Sequence, residues 1–181
     1  MKKTLLFIWD IAKIVIVASA IVLPIRYFLF QPFFVRGQSM EPNFENGDYL
    51  IIDELSYRLR DPLRGETIVF KYPNDESQRY IKRIIGLPGE TIEIKSNQVI
   101  VYKDDIMQVL DESDYIDSTV QTAGNLRITL GDDEYFVLGD NRPVSSDSRR
   151  WGVVPKKDII GRTFFRAWPI DDISKIELPG Y

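Results

Sequence analysis

The hydrophobic pattern divides the chain near residue 34. From residue 11 to residue 30 apolar side chains run almost unbroken (IAKIVIVASAIVLPIRYFLF), interrupted by Lys13 near the start and Arg26 near the end. A helix crossing a bilayer takes about 20 mostly apolar residues. The run therefore predicts one membrane helix, with Lys13 and Arg26 reaching opposite interfaces and Tyr27, Phe28, Phe33 and Phe34 as interfacial aromatics. Lys2-Lys3 and Ala18-Ser19-Ala20 have the look of a cleaved secretion signal. Against that, Ile21, Val22 and Leu23 continue the apolar run past the triplet, and Asp10 and Lys13 break the compact core a signal needs. The expectation is an uncleaved anchor over residues 1–30. Lys2, Lys3 and Lys13 before it, against Arg26 and Arg36 after it, favour a cytoplasmic N-terminus.

Beyond residue 34 the pattern turns to short β-rich runs bounded by Gly, Pro, Asn or Asp. They cover residues 49–52, 67–72 (TIVFKY), 80–85 (YIKRII), 91–94, 99–102, 126–130 and 135–138. No soluble stretch carries a long helical stripe, and residues 53–60 allow one short helix. Residues 103–125 are acidic and polar and read as an insertion or long loop. The expected fold class is mainly β: one antiparallel-sheet domain over residues 31–181, behind a single N-terminal transmembrane helix.

Composition narrows the chemistry. With 181 residues, 44% hydrophobic and 28% charged, the chain can bury a core. A net charge of −4 with no long basic run argues against nucleic acid as a partner. Zero Cys and zero His remove thiol catalysis, the usual zinc and iron ligand sets and every Ser-His pair. No calcium-type Asp/Gly loop stands out. No cofactor and no metal are expected.

One serine raises a question under these limits. Ser39 lies in VRGQSMEPNFENGD, directly after the greasy segment. A serine among Gly, Pro and Asn commonly serves as a turn or cap residue. As a nucleophile it needs a proton acceptor, and without histidine that acceptor is Lys, Asp or Glu. An ordinary lysine is neutral about once in 2,500 at pH 7; burial can correct this. Lys82 is the best-placed lysine, because residues 80, 82 and 84 of YIKRII share a strand face and set it between Tyr80 and Ile84. Lys71 in IVFKYP is the second choice. A strand-edge lysine that reaches out to water remains the alternative reading. A third segment, GDNRPVSSDSRRWG over residues 139–152, is either a surface loop or a cluster of hydroxyls and an Asp–Arg pair serving the site.

These same stretches carry a family resemblance. GQSMEPNF (37–44), GDYLIID (47–53), RGETIVFKYP (64–73), YIKRIIGLPGETIEI (80–94) and GDNRPVSSDSRRWGVVPKKDIIGR (139–162) resemble, in order, the motif boxes of bacterial type I signal peptidases. The resemblance implies a Ser-Lys protease whose β-rich core is shared with self-cleaving SOS repressors. It implies that Ser39 is the nucleophile, Lys82 the general base and Ser145 a hydrogen-bond partner of the lysine. It implies that Asp147 and Arg149 form a salt-bridged pair beneath the site, with Asp140 and Arg142 in further supporting positions. Some members carry a serine two residues before the nucleophile as an oxyanion donor. Gly37 stands there in this chain, so the oxyanion falls to the Ser39 N–H, with Gly37 or water assisting. The partners implied are exported preproteins and the lipid bilayer. The location implied is the cytoplasmic membrane, single-pass, with the catalytic domain on the outer face. Two other readings stay open: a self-cleaving regulator of the same fold, for which Ala123-Gly124 is the sole Ala-Gly pair, and a catalytically inactive membrane-tethered β domain.

Overall fold

The computed structural model describes residues 2–28, 30–104 and 106–180, with side chains described for residues 7–20, 31–104 and 106–180. Helix α1 (Lys2–Phe28) leads into strands β1 (Phe30–Phe34) and β2 (Tyr49–Asp53), then the short helix α2 (Ser56–Leu59). Strands β3 (Thr67–Tyr72), β4 (Asp75–Gly86), β5 (Thr91–Lys95), β6 (Gln98–Lys103), β7 (Ile106–Val109), β8 (Leu126–Thr129) and β9 (Glu134–Leu138) follow. Helix α3 (Ser148–Trp151) and strands β10 (Val154–Pro155), β11 (Ile159–Trp168) and β12 (Ser174–Lys175) complete the order.

The larger sheet runs β1-β2-β11-β3-β4-β9-β10, with β12 on β11, and the smaller runs β7-β6-β5-β8. Every strand pairing is antiparallel. The mainly antiparallel β expectation therefore holds. Strand β4 is the hinge of the core. Its Ile81 packs with Val35, Met40, Phe44 and Val69, its Ile84 with Ile68, Phe70 and Val137, and its Ile85 with the Ile92, Val101 and Leu138 cluster. From Ile81 to Gly86 the strand is buried on both faces. Any charge on this stretch therefore sits inside the protein.

Two expectations change. Residues 103–125 are not a plain loop: β7 lies within them, and Leu110, Tyr115, Ile116 and Thr122 are buried. Their polar side chains bond inward, as described below. Phe33, expected as an interfacial aromatic, lies in β1 and packs on the core, whereas Phe34 in the same strand is exposed.

Among the described residues no helix is long and apolar enough to cross a membrane. The second half of the apolar run, residues 21–30, has its side chains outside the described set, as do Lys2, Lys3, Arg26, Tyr27 and Phe28. Within the described half, Phe7, Ile8, Trp9, Ile14, Val15, Ile16 and Val17 are all exposed, so these side chains find no cover among the described residues.

Candidate active site

Ser39 owes its place to a closed loop. Val35 N–H donates to Asp48 O at 2.9 Å and Gly47 N–H to Val35 O at 3.0 Å, which pins the two ends of residues 35–48. Inside the loop Met40 and Phe44 are driven into the core, which leaves Ser39 beside them, half-buried. A second segment clamps it. Asn141 Nδ2 donates to Gln38 O at 3.0 Å, and Asn141 N–H donates to Ser39 O at 3.1 Å.

Lys82 comes from the buried half of β4, where it pairs across the sheet with Ile68. Its Nζ lies 2.6 Å from Ser39 Oγ and 2.7 Å from Ile81 O. The residue is only 4% exposed. The Tyr80 ring lies beside the amine, with Nζ 5.6 Å from its centroid. Burial pushes the Lys82 ammonium down from 10.5 to about 8, against the upward pull of Asp147 and Asp140. About one molecule in ten then carries a neutral amine at pH 7. Lys71 lies on the wall of the same groove, and it makes no bond to Ser39 among the described residues.

The loop after β9 carries the supporting groups. Asp147 Oδ1 accepts from Arg149 Nε at 2.8 Å, and its Oδ2 accepts from Gly139 N–H at 3.1 Å. The Asp147–Arg149 pair implied by the resemblance is present. Asp140 does not pair with Arg142. It takes a two-pronged contact from Arg83, Nε at 2.9 Å and Nη2 at 2.6 Å, and a third bond from Asn43 Nδ2 at 2.9 Å. Arg142 turns the other way, to Glu112 and Thr122 of the acidic segment.

Two implied contacts are absent. Ser145 Oγ is buried with no hydrogen-bond partner among the described residues, so it does not hold Lys82 here. Its side chain is nonetheless close by. A Cβ built on Gly139 would collide with both Ser145 Oγ and the Ser39 carbonyl oxygen, so Gly139 is the spacer that lets those two segments meet. The Gly37 N–H is engaged by Asn46 Oδ1 at 2.9 Å and cannot serve an oxyanion as it stands. Gly37 has φ +90, a conformation that suits glycine. Ser39 N–H donates to no protein acceptor among the described residues, so of the two amides it is the available one.

Sequence reasoning passed over Arg83, Asn43, Glu112, Gly139 and Asn141. Arg83 had a usable signal, since it adjoins Lys82 on a strand buried on both faces and must meet an anion. The others depend on partners far away in the chain.

The Ser39–Lys82 pair opens into a groove of ≈ 930 Å³ walled by residues 32–34 of β1, residues 36–39, Lys71, residues 76, 77 and 79–82, Val144 and Ser146. No cluster of metal-ligating side chains occurs among the described residues. A hydroxyl in contact with a buried amine of lowered pKa has the chemistry of an activated nucleophile with its own base. That is the equipment of a serine hydrolase working without histidine.

Comparison with known proteins agrees with that class. Residues 8–168 match the family model described as signal peptidase, peptidase S26. A Synechocystis protein named "Probable signal peptidase I-2" is 38% identical over 171 residues, covering 91% of this chain and 75% of its own. A signal peptidase I of Bacillus amyloliquefaciens is 34% identical over 179 residues, covering 96% and 94%. The solved signal peptidase I of Enterococcus faecalis V583 aligns with 57% of this chain and 97% of its own, at 30% identity and a TM-score of 0.47. On the sequence matches, the chain belongs to the signal peptidase family, peptidase S26.

Proposed function

We propose that the chain is a membrane-anchored serine endopeptidase that removes N-terminal signal peptides from exported preproteins, with Ser39 as nucleophile and Lys82 as general base. The observation that carries this reading is the 2.6 Å contact between Ser39 Oγ and a Lys82 Nζ buried in the core. Strand β9 pairs with β4 only from Arg83 to Gly86. Among the described residues that leaves the outer stretch of β4 without a strand partner on that edge, beside the groove. An extended cleavage segment adding there would be held by main-chain bonds that do not depend on its sequence, with small side chains at the first and third positions before the cut.

The neutral Lys82 amine takes the Ser39 proton as Oγ attacks the scissile carbonyl, and the developing oxyanion meets the Ser39 N–H. The ammonium returns its proton to the leaving amine, which departs with the mature protein. Water, deprotonated by the same amine, then releases the acyl group from Ser39. Asp147 and Asp140 stabilise the intermediate ammonium by charge, while burial keeps the resting amine basic but partly neutral.

The rate constant kcat/KM on a preprotein with an Ala-X-Ala cleavage segment is expected to rise about tenfold per pH unit up to about 8 and then level off. The direction follows from the base, which works only when unprotonated. A limb centred near 10.5 would mean that the lysine is solvated in the working enzyme, and the proposal would fail.

The anchor and the outer-face location are part of the same proposal. Helix α1 has 27 residues, and at about 1.5 Å per residue it matches the roughly 40 Å of a bilayer with its interfacial layers. Its exposed apolar side chains from Phe7 to Val17 favour a non-aqueous surrounding. Alkaline carbonate washing of cell membranes should leave the intact chain in the pellet; recovery in the wash would remove the anchor. Residues 1–30 are the proposed anchor and 31–181 the catalytic domain. Ala123, the candidate self-cleavage position, has its carbonyl bound by Arg149 Nη1 at 3.3 Å and stands away from the groove, which favours a substrate supplied by another chain.

A further inference from the structure

We propose that Glu112, on the acidic segment between β7 and β8, is a positioning residue for the serine–lysine reaction, acting through Arg142 and Gly139. The inference rests on the reading of Ser39 and Lys82 given above.

Arg142 is 1% exposed. Among the described residues Glu112 is the sole carboxylate ion-paired with it. The pairing is two-pronged: Nη1 donates to Glu112 Oε2 at 2.8 Å and Nη2 to Oε1. Nη1 also reaches Thr122 Oγ1. The Tyr115 hydroxyl donates to Glu112 Oε1 at 2.5 Å, so the carboxylate is itself held in place. A guanidinium this deeply buried keeps its position only while its counter-charge does.

The Nε donor of Arg142 is what links this pair to the chemistry. Its Nε donates to Gly139 O at 3.1 Å. The N–H of Gly139 bonds Asp147, and its Cα face lies against Ser145 and the Ser39 carbonyl. Moving this glycine therefore moves the nucleophile's backbone and one of the two carboxylates acting on Lys82 together. The acidic segment has a second anchor on the same site. Asn43 Nδ2 donates at once to Tyr115 O at 2.6 Å and to Asp140 at 2.9 Å. None of residues 110–123 lines the groove. The segment thus supports the reacting groups from behind and leaves substrate contacts to other residues.

The test uses the full chain in detergent, cleaving a model preprotein. Glu112→Gln keeps the volume and one acceptor oxygen and removes the charge. Its kcat, normalised to the folded fraction from near-ultraviolet dichroism, is expected to fall about 10- to 100-fold, the size of effect that a displacement of about 1 Å produces. KM should stay within about twofold, because no substrate contact is touched. Glu112→Asp, which keeps the charge on a shorter stem, should recover part of the lost kcat. A normalised kcat within about twofold of the wild type overturns the proposal, as does a loss that appears in KM alone. If Glu112→Gln does not fold, Glu112→Asp decides: a lower kcat at unchanged KM supports the role, and an unchanged kcat ends it. A wild-type chain that cleaves no preprotein would instead remove the functional reading itself.

Discussion

Lys82→Met is expected to lower turnover by at least about 10³-fold while making the folded protein more stable. On the proposed mechanism the activity loss is the removal of the base. Methionine fills a similar volume, so Ser39 keeps its place but loses the amine 2.6 Å away that the proposal makes its proton acceptor. General-base catalysis alone contributes about 10²–10⁴-fold, and a serine hydroxyl left unassisted is a weak nucleophile. Ser39→Ala should be equally inactive, and combining the two should cost little more, because the pair acts as one unit.

The gain in stability comes from the linkage between burial and protonation. The folded pKa of Lys82, about 8, lies below its ordinary 10.5. Between those two values the unfolded chain binds the extra proton, so stability rises with pH across that window. Below about pH 8 the full penalty of burying the amine applies. The drop from 10.5 to about 8 corresponds to roughly 3 kcal/mol at about 1.4 kcal/mol per pH unit. Lys82→Met removes that penalty, so chemical denaturation at pH 7 should show the variant more stable by up to about 3 kcal/mol. The advantage should shrink as the pH approaches 10.5. A variant that is inactive and no more stable at pH 7 would mean that the wild-type amine is not held in a dry place. A stable variant that still cleaves would mean that another group is the base.

The features of the site legible in the sequence are those written into local alternation. Lys82 could be found because YIKRII puts it on an apolar face, and the structure places it between Tyr80 and Ile84 and opposite Ile68. Some strand limits were legible for the same reason, since TIVFKY is β3 from first residue to last, whereas β4 begins at Asp75, in an exposed polar stretch ahead of the expected start at Tyr80. Strand β11 was not, although it is the second neighbour of β2 and joins that strand to β3. Its register shifts at three places, so alternation never runs long enough to read. Its charges also mask it, since Arg162 pairs with Asp53 and Arg166 with Asp48. The acidic segment was misread for a related reason. Glu112, Tyr115 and Thr122 look like solvent-facing polar residues until their partners Arg142 and Asn43, far away in sequence, are brought against them. Ser39 stands between these cases. Its residue type and place after the apolar run mark it as a candidate, but only the closing of residues 35–48 brings it to the amine. The Gly37 amide was open as an oxyanion donor on the sequence, and Asn46 closes it.

The Arg83–Asp140 pair carries the largest structural prediction. Both side chains are almost wholly buried, with 5% and 0% of their surfaces exposed, and Asp140 binds the guanidinium through both oxygens. Asp140→Asn keeps the shape and removes the charge. Breaking a buried pair from one side typically costs about 3–5 kcal/mol, because the remaining ion has lost its compensation while water still cannot reach it. Thermal or denaturant unfolding of the variant should show a loss of that size. Asp140 also helps to hold the proton on Lys82, so the acid limb of the pH–rate profile should move to lower pH in whatever fraction remains folded. Arg83→Met combined with Asp140→Asn removes both members, and much of the lost stability should return, since a buried pair replaced by uncharged groups is often close to neutral. The limb should stay displaced in the double variant, because the carboxylate that acted on Lys82 is still missing. Recovery of stability without recovery of the limb would separate the two duties of Asp140, holding the fold and setting the base. A double variant no more stable than Asp140→Asn would mean that the carboxylate's bond to Asn43, rather than its charge on Arg83, sustains this part of the core.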